Sequence, residues 1–135
     1  MVTKKTPART PAPAAASRRS QPQLRFRMRI TVGDVIAVGP GKIALLEAIA
    51  ETGSITNAAK RLDMSYRRAW LLLDELNRSL RAPAVDSAKG GPHGGGSALT
   101  DAGLQLIALY RRIEQQAAQA CQADIQRLMG LLAPR

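Results

Sequence analysis

Ser65, Tyr66, Arg67 and Arg68 follow one another in the chain, offering two hydroxyls, of serine and tyrosine, and two guanidiniums. Such groups recognise a partner by hydrogen bonds; they do not by themselves break covalent ones. An arginine fork matches the two acceptors on the major-groove edge of guanine. Groups suited to catalysis are scarce. The chain has one histidine, His93, and one cysteine, Cys121, with no paired acids at a plausible cleft and no cofactor fingerprint, so neither an enzyme nor a bound cofactor is expected. His93 has no companions to hold a metal, and no metal site is expected. Gly39-Pro40-Gly41-Lys42 fails as a phosphate-binding loop, because Ile36 stands at its first glycine and Ile43 at its hydroxyl ligand to magnesium.

The elements that must position those four residues can be read from spacing. Ser65 heads a run in which Ala69, Leu72, Leu73, Leu76 and Leu80 keep one buried helical stripe. Ser54, directly after Gly53, opens a shorter run with Ile55, Ala59 and Leu62 on one face, and Leu62-Asp63-Met64 breaks it. A short helix, a tight turn and a longer helix with cations in its first turn form the helix-turn-helix pattern, whose second helix enters the DNA major groove. An ordinary helical hairpin with solvated arginines is the alternative on this stretch alone. Tyr66 and Trp70 are one helical turn apart, and Trp70 is expected at the edge of the core. Ahead of this pair, Pro40 starts a helix through Thr52 with Ile43, Leu46, Ile49 and Ala50 inside, and Gly53 is its expected C-cap.

The series Gly53-Ser54-Ile55, Ala58-Ala59-Lys60, Ser65-Tyr66, Ala69-Trp70, Gly90-Gly91, Gly94-Gly95-Gly96 and Leu99-Thr100 resembles the DNA-binding domain of the molybdate-responsive ModE regulators. The likeness runs from about Leu24 to the end of the chain. It implies a winged, LysR-like helix-turn-helix: mainly α with a small β wing, binding double-stranded DNA as a bacterial transcription regulator. It also implies a phosphate contact at Ser54, through its hydroxyl and the helix amides. The expected contact set is therefore Ser54, Ser65, Tyr66, Arg67 and Arg68, joined by Lys89, Gly91 and His93 of the wing. Three departures stand out. Pro92 replaces the usual lysine among the wing glycines, Ala84-Val85-Asp86-Ser87 lacks a basic residue, and Asp63 stands where the interhelical turn commonly has glycine.

Twenty basic against ten acidic residues give a formal charge of +10, which favours a polyanion, DNA or an anionic membrane surface alike. Eight of the twenty precede Asp34, so the remainder is almost neutral and its binding surface must be a local patch. Residues 1–23 are rich in Pro, Ala, Ser, Thr and cations and read as a disordered basic tail, either a phosphate-touching arm or a solubilising leader. A lone cysteine excludes an internal disulfide framework and fits a reducing compartment; as a residue on a buried helix face, Cys121 reads as a small hydrophobe. No apolar run approaches the roughly twenty residues of a membrane span, and a cytoplasmic location is expected.

Residues 24–99 form the expected winged domain. Within it, Leu24–Thr31 alternates Leu24, Phe26, Met28 and Ile30 with three arginines, which predicts a strand with one buried face; the resemblance implies that it joins the wing sheet or a second subunit. Ala84–Ser87 and Ser97–Leu99 are the expected wing strands, about a glycine-rich turn whose Lys89 and His93 supply cations or donors. Residues 100–135 form the last element. Thr100-Asp101 caps a helix expected to run unbroken to about Leu132, with Gly103 where a capping box would hold Glu or Gln. A helix so long cannot pack wholly on a small body, which predicts a homodimer through it. The molybdate-binding region of ModE regulators is not expected after Arg135. In another class of function, the long helix would serve an interaction or ligand-sensing dimer, with an unidentified protein partner and weak DNA binding.

Overall fold

Pro40 at the first turn and Gly53 just past the last delimit a helix that packs against the two helices following it and against the returning wing strand. The computed structural model describes residues 21–87 and 96–134, with the side chain of Ser87 excepted. In chain order the elements are β1 (Ile30–Val32), β2 (Val35–Val38), α1 (Pro40–Thr52), α2 (Ile55–Arg61), α3 (Tyr66–Ser79), β3 (Val85–Ser87), β4 (Ser97–Leu99), α4 (Asp101–Ala120) and α5 (Gln122–Gly130). The fold is mainly α with a small β wing, as expected, and a second antiparallel hairpin ahead of it. Among the described residues, 27–116 form one compact unit, and 21–26 with 117–134 form another.

Ile43, Leu45, Leu46 and Ile49 of α1 are fully enclosed, contacted by α2, α3 and β4. Burial therefore extends round more of α1 than one stripe, taking in Ala48 and Lys42, whereas Ala50, expected inside, is exposed. Gly53 takes the left-handed conformation (φ 78°) and its N–H donates to the Ile49 carbonyl at 2.8 Å, the expected C-cap.

The strand expected over Leu24–Thr31 is mostly absent. Only Ile30–Val32 pairs, with Val35–Val38, in a hairpin of its own and not in the wing sheet. Gly33 supplies the positive φ (61°) that a two-residue turn requires. With so tight a turn, β2 reaches back only as far as Ile30, and the alternating residues before it have no ladder partner among the described residues. Leu24, Phe26 and Ile30 are accordingly exposed, while Met28 packs on the core.

Between α2 and α3 the chain turns at Asp63, whose φ of 59° is the left-handed conformation that glycine adopts without penalty. Replacing it, Asp63→Gly, is expected to raise stability by about 0.5–1 kcal/mol, and Asp63→Val to lower it by about 1–2 kcal/mol. Urea denaturation of the two variants checks both signs.

The wing strands pair as expected, with Val85 opposite Leu99 and Ser87 opposite Ser97. The Ser97 N–H donates to the Gly53 carbonyl at 3.0 Å, fastening the returning strand to the α1–α2 junction. At the head of α4, the Thr100 hydroxyl accepts from the Gly103 N–H (3.1 Å) and donates to the Pro83 carbonyl (2.6 Å).

The last helix departs from expectation by stopping at Ala120, with Cys121 in a turn before α5. No proline or glycine lies at the interruption. Cys121 is exposed, not buried on a helix face. Farther back, the buried Tyr110 donates its phenol proton to the Met28 carbonyl at 2.8 Å. Arg111 grips both carboxylate oxygens of Glu47 (2.9 and 2.6 Å) and reaches Glu114 at 2.8 Å, which raises its pKa. The Glu47 contacts join α4 to α1, and the Tyr110 bond joins α4 to the chain ahead of β1, all within the larger unit.

Burial, followed by the Glu114 charge, raises the Tyr110 phenol above its ordinary 10.0. A raised folded-state value stabilises the fold fully below the unfolded value, and this contribution is lost as pH rises through the folded one. Tyr110→Phe should therefore cost about 1 kcal/mol at neutral pH, with the gap to the parent narrowing above about pH 10. Urea midpoints between pH 7 and 11 measure that gap.

Candidate nucleic-acid interface

Each helix of the α2–α3 pair begins with a serine whose backbone is extended and whose side chain closes the first turn. The Ser54 hydroxyl accepts from the Asn57 N–H at 3.0 Å, and the Ser65 hydroxyl from the Arg68 N–H at 3.0 Å. A hydroxyl that accepts still has its own proton to donate. Ser65 is exposed and Ser54 half-buried, so both remain within reach of a polyanion while fixing where their helices start.

That start fixes the rest of α3. Ala69, Leu73 and Leu76 face the core, and Tyr66, Arg67 and Arg68 are exposed at the head of the helix. Neither arginine forms an ion pair with a carboxylate among the described residues. The acids farther along are compensated: Asp74 pairs with Arg78 at 3.1 Å and Glu75 with Lys42 at 2.5 Å. The first turn of α3 thus keeps two uncompensated cations, while its later turns are close to neutral.

Lys42 is the positioning residue that spacing alone did not single out. Only 4% exposed, its ammonium donates to the Ile36 carbonyl of β2 and to Glu75 of α3, joining α1, β2 and α3. The signal was present, since Lys42 lies four and seven residues before Leu46 and Ile49 on the inner stripe. Trp70 departs from expectation in the opposite direction. It is 47% exposed, with Tyr66 at 53% and Leu71 at 49%, because Ala69 and Leu73 take the inward positions. Beside Leu71 a groove of about 750 Å³ opens, lined also by Val32, Val35 and the last turns of α3.

The structure brings Ser65, Tyr66, Arg67 and Arg68 onto one helix end, and Ser54 onto the helix before it. Lys89, Gly91 and His93 lie outside the described residues, as do the cations of residues 1–20. Among the described residues no cluster of three or more metal-ligating side chains occurs, and no helix is long and apolar enough to cross a membrane.

Residues 41–104 match the bacterial regulatory helix-turn-helix protein, lysR family. The molybdenum-pterin-binding protein MopB of Rhodobacter capsulatus is 46% identical over 82 residues, 61% of this chain and 30% of that protein. The molybdenum transport protein ModE of Azotobacter vinelandii is 40% identical over 92 residues (67% and 34%). The DNA-binding transcriptional dual regulator ModE of Escherichia coli K12 is 40% identical over 93 residues (69% and 36%). The chain spans about a third of the length of these relatives. Among solved structures, the CbnR_DBD–DNA complex aligns with a TM-score of 0.51 at 25% identity, covering 65% of this chain and 95% of that one.

Proposed function

We infer, from a chain whose residues 41–104 match the lysR-family helix-turn-helix, that it binds double-stranded DNA in a sequence-specific manner and regulates transcription, without catalysis. One observation carries the reading: Arg67 and Arg68 stand exposed and unpaired among the described residues, on a first turn whose start is fixed by the Ser65 cap. In the major groove they face base edges or phosphates, with Ser65 and Tyr66 donating beside them. Ser54 holds a phosphate at the head of α2. Lys89, Gly91 and His93 bring the wing to the backbone, and the basic residues before Gln23 add affinity without sequence choice.

The protein acts as a homodimer through its C-terminal helical region. Leu109 and Ile113 lie one turn apart on α4 and are 43% and 47% exposed, an apolar strip that a second copy would cover. A two-fold dimer would present two α3 helices about 34 Å apart to a near-palindromic site; a monomeric mass at micromolar protein would refute it. The compartment is the cytoplasm, where the DNA lies.

The test is selection of the organism's own genomic fragments by the purified protein at physiological salt, with and without molybdate. Enrichment of a short inverted repeat supports the reading, and a dependence on molybdate would add a ligand to it. Recovery of random fragments, lost as salt rises, would leave only a non-specific basic binder and favour the interaction-protein alternative.

A further inference from the structure

Three successive leucines, Leu71, Leu72 and Leu73, cannot all face the core of a helix that turns about 100° per residue. Leu73 is 3% exposed and Leu72 is partly buried against the core, which leaves Leu71 outward at 49%. Leu71 follows Arg67 by four residues, so the two lie on one face, roughly 6 Å apart along the axis. An apolar side chain there, behind a first turn carrying unpaired cations, complements a surface that is mainly anionic but has apolar points within it. The major groove is such a surface: its phosphates match the arginines, and its apolar feature is the C5-methyl group of thymine.

We propose that Leu71 reads a thymine methyl group, about two base-pair steps from the base that Arg67 faces. The inference rests on the DNA-binding reading of α3 and adds a specificity residue to it. Asp74 does not oppose the approach, because Arg78 neutralises it at 3.1 Å. Val32 and Val35 continue the apolar surface to one side, and the competing occupant of that groove is a protein segment.

The experiment uses the inverted repeat recovered by genomic selection, with each thymine replaced in turn by deoxyuridine, which removes only the methyl group. Dissociation constants are measured for the parent protein and for Leu71→Ala; alanine preserves helix propensity at a half-exposed site, and circular dichroism verifies the fold. One substitution is expected to weaken the parent about fourfold, the worth of one buried methyl, and to leave Leu71→Ala unaffected. Leu71→Met, which retains an apolar tip, should keep the discrimination. The proposal is overturned if no deoxyuridine position matters, or if the same positions matter equally to Leu71→Ala. In either case specific binding lost through Arg67 and Arg68 would still uphold the DNA reading, and Leu71 would pass to the groove as a protein contact. Failure to select any sequence would overturn both.

Discussion

Reversing the two charges at the head of α3, Arg67→Glu with Arg68→Glu, should abolish specific DNA binding, with a loss of at least about 4 kcal/mol, roughly a thousandfold. The argument is electrostatic and local. Both side chains are exposed and neither has a carboxylate partner among the described residues, so their field is not cancelled within the fold. Reversal removes attraction and adds repulsion at the same place. The Ser65 cap bonds the Arg68 backbone, not its side chain, so α3 should still start where it does. Titration of labelled operator and of random duplex at several salt concentrations separates two cases. A single Arg→Ala variant that loses about 1–3 kcal/mol on operator alone touches a base; an equal loss on both duplexes assigns that arginine to phosphate. Unchanged binding by the charge-reversed protein would remove α3 as the reading helix.

The second large effect lies away from that surface. Gly103→Val should destabilise the fold by about 3 kcal/mol, at the upper end of overpacking costs. A Cβ at Gly103 would collide with the Ala84 carbonyl oxygen and lie 3.1 Å from its carbon. Those are backbone atoms, so no flexible side chain can swing aside. The same oxygen accepts from the Thr100 N–H at 2.9 Å, and pushing it away would strain the junction between the wing and α4. A fall in the urea midpoint is the expected readout, with Gly103→Ala close behind it. A stability within a few tenths of a kcal/mol of the parent's would mean that α4 and the wing do not approach as closely as described.

This glycine marks the limit of local reading. Sequence spacing places Gly103 where a capping box would hold Glu or Gln, and its identity there looks like an omission. The close approach of Ala84, nineteen residues earlier, gives the physical reason, and nothing near Gly103 in the chain announces it. Strand Leu24–Thr31 failed for a related cause. Alternation predicts a strand but not its partner, and the two-residue turn at Gly33 assigned a partner too short to reach Leu24.

What the sequence determined by itself were features whose causes are local. Caps at Ser54, Ser65 and Thr100, the left-handed Gly53, the buried stripe of α3 and the cations at its head all follow from side chains within one or two turns of one another. Tertiary structure decided what depends on distant neighbours. It enclosed α1 on several sides and so exposed Ala50 but buried Lys42 against Glu75, thirty-three residues away. It turned Trp70 and Leu71 to solvent because Ala69 and Leu73 filled the space inside. A helical period fixes which residues share a face, but the packing of other elements fixes which faces are closed to water.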